Sequence, residues 1–488
     1  MRSLPKILSK SKLLRGYRCP KALYLTLHDP KKEAPVSQQL QALFDQGKEV
    51  GKEARKFLFP KGCLIDCKPW EFLQSVQKTE EEIQKGEKTI YEASFLYQGA
   101  YSRMDIIHYS KNSKKWSLYE VKSSTRVKDE HIDDITLQSW IISKSGLPIE
   151  NIYLVHLNSA CVFPDLKNLF EVRDVTQEVR DNYRSVPEKI NHLTEVIKAE
   201  DPPSTPIGEY CLKPGECGFK NHCWKGVPSL SILNLPKFLK KWAWFEQGVV
   251  DFLDPRISGF NELQKRIVES HKTKKVFNNA SSIRKILSSW SYPLTFLDFE
   301  TLSYPIPKFN NTSPYEHIPF QFSIHILRKP DSPLEHYEFL HDQTSDPRPS
   351  LIKKLLKVCP SEGHLVAYYK DFEINVLKKL AESFSKDADS LMNLVERMKD
   401  PLPILRENYY DPKFQMSFSL KKVAPALLGA DFSYTNIGIQ DGLAAQVSYK
   451  KMLGSSQEKK EEIKKDLLEY CKKDTESLVE IFRFLSKQ

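Results

Sequence analysis

The sequence predicts an α/β chain: two segments in which strands alternate with helices, separated by a stretch that reads as helical throughout. Three observations predict it. Between residues 72 and 157, polar helical patterns alternate with short runs rich in aromatic and β-branched residues, TIYEASF and NIYLVHL among them. A second alternation opens at residues 294–301, LTFLDFET, and closes on a long helical pattern at 457–487. Between the two, residues 228–290 space their Leu, Phe and Trp at helical intervals with few strand signals. The 488 residues allow about three domains, and these patterns place them at 1–225, 226–290 and 291–488.

Composition narrows the class. Apolar residues make up 40% and charged residues 28%, the balance of a folded chain and not of a disordered one. No apolar run approaches the ~18 residues that a bilayer span needs, and the N-terminal residues interleave every apolar pair with Lys, Arg or Ser, unlike a secretory segment. The expectation is a cytoplasmic protein with no membrane partner. A formal charge of +10 suits a polyanionic partner. Nine cysteines, an odd number, point to metal binding or free thiols over disulfides.

Taken in order, residues 9–27 (SKSKLLRGYRCPKALYLTL) read as two helical segments broken at Cys19-Pro20. Residues 38–59 form an amphipathic helix with Leu40, Leu43, Phe44, Val50, Ala54 and Phe57 as its apolar stripe, and with Glu49 and Glu53 one turn apart. A polar helix at 72–85 leads to a strand at 89–95. Residues 103–109 and 116–121 are the arms of a hairpin, because the Ser-Lys-Asn-Ser-Lys-Lys run between them is turn-like. A helix follows at 133–143, with Gln138 set into an apolar stretch, and then a strand at 151–157. In the connecting stretch, Trp242 and Trp244 read as packing residues.

The hairpin carries chemistry. On a strand alternate side chains share a face, so Glu120 and Lys122 point the same way, and Asp105 on the neighbouring arm can close the group. Two carboxylates ligate a hard divalent ion such as Mg²⁺ or Mn²⁺, and the lysine orients or deprotonates an attacking water. Taken alone, Glu-x-Lys on a strand reads more readily as an exposed ion-pair ladder, since the pattern arises by chance in many sheets.

A second informative stretch is 209–224, EYCLKPGECGFKNHCW. Cys211, Cys217 and Cys223 stand six apart in a Gly/Pro-containing loop, free to fold around one ion or cluster. Three thiolates need a fourth ligand, and Cys19, His222 or the Cys63/Cys67 pair can supply it. Zinc would take Cys₃His or Cys₄ tetrahedrally, whereas an iron–sulfur cluster favours thiolates throughout.

Cys19-Pro20-Lys21, Asp105, Glu120-Val121-Lys122, Gln138 and the Cys211/Cys217/Cys223 set together resemble the RecB-like PD-(D/E)XK nucleases with an iron–sulfur cluster, of the CRISPR-associated RecB-like exonuclease type. The resemblance covers about the first 225 residues and implies a restriction-endonuclease-like mixed sheet with helices. It implies Asp105 and Glu120 as metal ligands, Lys122 as the catalytic lysine and Gln138 as the helix residue behind the active strands. It also implies a 4Fe–4S cluster on Cys19, Cys211, Cys217 and Cys223. The family has a histidine four residues after a glycine in its early helix; here Gly47 is followed by Gly51, and Glu49 or Glu53 is the substitute that helix offers.

The last segment holds a second acidic set. Asp298 and Glu300 interrupt an apolar strand and share one face; two carboxylates on a buried strand are costly unless they bind metal or pair with cations. Residues 364–369 read as a strand and Lys370-Asp371-Phe372-Glu373 as the opening of a helix. In the last helix the stripe is Leu467, Leu468, Cys471, Leu478, Phe482 and Leu485, with Tyr470 and Asp474 one turn apart. Asp-x-Glu, a carboxylate after a strand, then Tyr-x-x-x-Asp on a helix resembles the DnaQ-like (ribonuclease-H-like) 3′–5′ exonucleases. The resemblance implies Asp298, Glu300, Glu373 and Asp474 as ligands of two divalent ions and Tyr470 as the residue that positions water. Glu373 stands where that family has aspartate, with Asp371 and Asp400 in reserve. As a whole the chain resembles a bacterial family in which these two modules are fused.

The function these readings imply is a metal-dependent nuclease with two active sites, acting on single-stranded or end-containing DNA in repair, recombination or defence. An RNA exonuclease would use the same chemistry. A catalytically weak iron–sulfur scaffold that binds nucleic acid, or a cluster-based redox sensor, is the alternative of a different class. The basic runs at 353–357 and 459–465 read as solvated helix faces.

Overall fold

The computed structural model describes residues 7–435 and 437–488, and they form a mixed α/β structure. The chain divides into two compact units: residues 1–226 with 304–315, and residues 227–303 with 316–488. The stretch read as a connector, 226–290, lies almost entirely within the second unit. Among the described residues no helix is long and apolar enough to cross a membrane.

The first unit begins with two short helices, α1 (Lys10–Arg18) and α2 (Pro20–His28), on either side of Cys19. Proline at the first position of α2 has no N–H to lose there and sets the break. Helix α3 (Gln38–Leu58) is capped by the Ser37 hydroxyl, which accepts from the Leu40 N–H at 3.1 Å. Helix α4 (Phe72–Gln84) precedes an antiparallel meander of β1 (Thr89–Tyr97), β2 (Ala100–Ser110) and β3 (Lys115–Lys122). A parallel neighbour cannot be reached by a tight turn, so α5 (Asp129–Lys144) crosses from β3 to β4 (Ile149–Leu157). β5 (Phe170–Asp174) closes that edge antiparallel. The core lies between the sheet and α5, with Met104, Ile107, Leu118, Ile135, Ile141, Ile152 and Leu154 buried. Leu13 and Leu23 of the first two helices join this core beside Leu193 of α6 (Val186–Lys198).

One apolar stripe is not buried as its periodicity predicts. In α3 only Val50 and Ala54 are covered, while Leu40, Leu43, Phe44 and Phe57 stay 40–50% exposed. The periodicity is that of a packed helix, but Val50 and Ala54 alone among these are buried, and Phe57 sets its ring on Phe170 of β5 at 5.4 Å while half exposed.

The second unit opens with α7 (Lys241–Glu246), α8 (Glu262–Thr273) and α9 (Ala280–Leu287). Its sheet runs β8 (Leu334–Leu340), β7 (Ile318–Leu327), β6 (Leu294–Leu302), β9 (His364–Val366), β10 (Met398–Lys399), with β7 antiparallel to both neighbours and β9 and β10 parallel to β6. Alternation on β6 sends Leu297 and Phe299 into a core with Leu351, Leu355, Val376 and Leu377, while Phe296 packs with Phe482 of the last helix. Trp244 packs against this second core and Trp242 sets its edge on Phe245, as packing residues do.

The strand expected over 364–369 stops at Val366. Tyr369 adopts φ +63, and the N–H groups of Tyr369 and Lys370 go to the Asp400 carboxylate at 3.3 and 3.2 Å. A side chain thus takes the donors a longer strand would have used. Gly363, which leads into β9, has φ +77, and a Cβ there would sit 2.1 Å from the Pro293 carbonyl oxygen. Only glycine fits that crossing.

Candidate functional site

The first site is built where the hairpin diverges. The β2–β3 ladder ends at the Ile106–Tyr119 pair, and the Val121 N–H beyond it is taken by the Asp105 carboxylate, Oδ2, at 2.7 Å. Glu120 and Lys122 share a face, and Lys122 Nζ donates to Glu120 Oε1 at 2.8 Å. Two residues missed in the sequence complete the group. Lys10, at the start of α1, donates to the same Glu120 Oε1 at 2.9 Å and pairs with Asp134 of α5 at 3.2 Å. Lys122 also donates to Asp134. The hydrogen bonds of Gln138 go to other residues: its side-chain amide donates to Asp134 Oδ1 at 3.0 Å, and its carbonyl accepts from the Ser102 hydroxyl. The four-residue spacing of Asp134 and Gln138 put them on one helix face, a signal present in the sequence. Nothing local marked Lys10.

Electrostatics divide these groups. Burial, with Glu120 and Glu92 adding to it, pushes the Asp105 carboxyl up to about 8. Burial would also raise Asp134, but Lys10 and Lys122 hold it well below the usual carboxylate range. Burial works against both ammonium groups, yet the carboxylates around them, Asp134 foremost, keep them charged. Glu120 Oε2 is buried and has no hydrogen-bond partner among the described residues. Glu49 pairs with Lys308 at 3.7 Å and Glu53 with Lys56 at 2.6 Å. The carboxylate that acts on Asp105 beside Glu120 is Glu92 of β1, itself held by Arg55 and Arg103. A cleft of about 610 Å³ opens on Lys122 and Asp134, lined also by His131, Tyr17 and Lys189.

The four cysteines of one candidate set line a single cavity of about 640 Å³. Cys19 is carried there as the residue between α1 and α2; the loop cysteines are folded by the Cys217 N–H donating to the Cys211 carbonyl at 2.8 Å. Arg18 stitches the two parts, its guanidinium donating to the carbonyls of Tyr210 and Gly215. Neither His222 nor the Cys63/Cys67 pair lines this cavity. Among the described residues the one set of three or more potential ligand atoms lying within 4.8 Å of one another is acidic, not cysteinyl.

That acidic set is Asp298, Glu300 and Asp474. β6 presents the first two on one face, and the last helix, α10 (Gln457–Ser486), brings Asp474 against them. Glu373, in the first turn of the helix Asp371–Ser383, is buried, and its Oε2 has no hydrogen-bond partner among the described residues. Burial raises the Asp298, Glu300 and Glu373 carboxyls well above their ordinary values, and neighbouring carboxylates add to it. Asp474 is pushed up to about 6 by burial, restrained by a hydrogen bond from the Tyr434 hydroxyl at 2.6 Å. Of the reserve residues, Asp371 is exposed, and Asp400, close enough to act on Glu373, caps backbone N–H groups, including that of Leu402 at 2.8 Å.

Tyr470 is buried beside the set, and its hydroxyl accepts from Lys421 Nζ at 2.7 Å. Lys421 is a cation that acts on Asp298, Glu300 and Asp474 together. Cys471, expected only as part of the apolar stripe, donates its thiol to Asp298 Oδ2 at 3.4 Å. Lys421 and Tyr434 escaped sequence reading because they come from the helix Leu420–Leu428 and the loop after it, where no spacing signals a site.

Residues 295–419 match a family described as a domain of unknown function (DUF2779). The matched segment contains Asp298, Glu300 and Glu373 and ends before Lys421, Tyr434, Tyr470 and Asp474. No curated protein matches the chain.

Proposed function

We propose that the chain is a divalent-metal-dependent nuclease that hydrolyses phosphodiester bonds in single-stranded or end-containing DNA, with one active site in each unit. The observation that carries this reading is the second acidic set. Asp298, Glu300 and Asp474 bring ligand oxygens within 4.8 Å of one another, near the buried Glu373 Oε2, which has no hydrogen-bond partner among the described residues. Buried carboxylates repel at this distance, and Lys421 carries less charge than the set does. A bound cation supplies the rest. The strand order of that sheet, with the acidic strand at its centre, also supports a DnaQ-like exonuclease.

Divalent ions held by Asp298, Glu300, Glu373 and Asp474, and by Asp105 and Glu120, supply phosphate charge neutralisation and an activated water when bound. The chain's own groups then have defined work. Tyr434 keeps Asp474 ionised and oriented, and Lys421 fixes the Tyr470 hydroxyl where it can hold a water. In the first unit Lys122 places an ammonium beside Glu120, facing the cleft through which a strand reaches it. The lining of one cavity by Cys19, Cys211, Cys217 and Cys223 supports a 4Fe–4S cluster that ties α1 and α2 to the loop at 209–224.

The test is shortening of end-labelled single-stranded DNA by anaerobically purified full chain, with Mn²⁺ against EDTA. Mn²⁺-dependent shortening that falls in Lys122→Ala and, separately, in Asp298→Ala supports one active site per unit. A protein that binds the DNA and never shortens it sinks the reading.

A further inference from the structure

We infer that Lys10 is a positioning residue of the first metal site, which holds Glu120 so that one carboxylate oxygen is kept for the ion. This rests on the proposal that Asp105 and Glu120 are metal ligands, and it names a residue outside the hairpin motif.

Both ammonium groups near Glu120 bind the same atom. Lys122 Nζ stands 2.8 Å and Lys10 Nζ 2.9 Å from Oε1, while Oε2 is buried with no hydrogen-bond partner among the described residues. Asp105 is arranged alike, with Oδ2 engaged by the Val121 N–H at 2.7 Å. Each carboxylate is thus gripped through one oxygen. A single lysine would leave Glu120 free to turn about its terminal torsion, which is broad and roughly two-fold. A second, arriving from another element and cross-braced to Asp134 at 3.2 Å, removes that freedom. Groups behind a ligand that fix its orientation are typically worth 10–100-fold in metal affinity or activity.

The place of Lys10 is set by α1, nine residues long, whose Leu13 is fully buried and whose Gly16 lies against Leu193. At the other end of the same helix stands Cys19. One rigid element therefore runs from the cysteine set to the carboxylate pair, so whatever fixes Cys19 also fixes Lys10.

The experiment measures Mn²⁺ binding to the full chain in the Asp298→Ala background by titration calorimetry, without DNA, the first site's share being the part lost in Glu120→Gln. The expected result is at least tenfold weaker binding at that site in Lys10→Met and recovery to within about threefold in Lys10→Arg. Loss of a positive charge alone would tighten cation binding, so weakening reports orientation and not charge. Unchanged or tighter binding in a folded Lys10→Met overturns the inference and leaves the nuclease reading standing. If Glu120→Gln changes no Mn²⁺ binding, the metal reading of the first site falls and this inference with it. Should Lys10→Met not fold, a crystal structure of the Mn²⁺-soaked unsubstituted chain decides. Mn²⁺ on Glu120 Oε2 with Lys10 still on Oε1 upholds the inference, and Mn²⁺ on Oε1 with Lys10 displaced overturns it.

Discussion

The Tyr434 hydroxyl donates to Asp474 Oδ1 at 2.6 Å, joining a loop to a helix that begins more than twenty residues later. The bond favours the ionised carboxylate in a site where burial opposes it. Tyr434→Phe should lower the Asp298-dependent nuclease activity by 10–100-fold and raise the Mn²⁺ concentration for half-maximal rate. Stability should fall by about 1–3 kcal/mol, as for a buried acceptor left without its donor. Unchanged Mn²⁺ dependence would remove Tyr434 from the site.

Asp298 shares its surroundings with Glu300, Glu373 and Asp474, and without a cation this set strains the fold. Asp298→Asn, which keeps shape and removes charge, should therefore raise the melting temperature of the metal-free chain by a few degrees, about 1 kcal/mol for a chain of this size. It should also abolish the second site's activity. In the unsubstituted chain Mn²⁺ should give a larger rise than in the variant, by preferential binding to the folded state. Scanning calorimetry with and without EDTA reads both.

His325 gives a pH dependence of stability. Its ring bonds the Thr475 hydroxyl at 2.9 Å and stacks on His336 at 4.5 Å. Burial, then His336 and Lys472, lowers its pKa from 6.5 to about 3. The folded chain therefore refuses a proton that the unfolded chain accepts below pH 6.5. Its contribution to stability is intact above that pH and is lost as pH falls toward 3, by at most about 1.4 kcal/mol per pH unit. His325→Gln should make the urea midpoint fall less steeply between pH 7 and pH 4. A slope equal to that of the unsubstituted chain would show that this histidine is not responsible.

Cys19→Ser should reduce bound iron and the brown absorption, whereas Cys63→Ser and His222→Ala should leave both unchanged, because those side chains do not line the cavity. Iron content and visible spectra of anaerobically purified protein check this. Equal loss in Cys63→Ser would redraw the ligand set.

The sequence made the short-range geometry legible. Strand alternation placed Glu120 beside Lys122 and Asp298 beside Glu300, and helical spacing placed Tyr470 over Asp474, because these relations follow from backbone periodicity alone. Hairpin arms, crossover helix and the α/β class came from the same source. Three things needed the tertiary structure. Lys10 and Asp134 join Glu120 across 110 residues of chain and from a separate helix. Lys421 and Tyr434 reach the second acidic set from segments with no motif of their own. The apolar stripe of α3 is buried at Val50 and Ala54, while Leu40, Leu43, Phe44 and Phe57 stay largely exposed. Periodicity states which side chains share a face; which face is covered, and which distant charges meet, is decided when separate elements pack against one another.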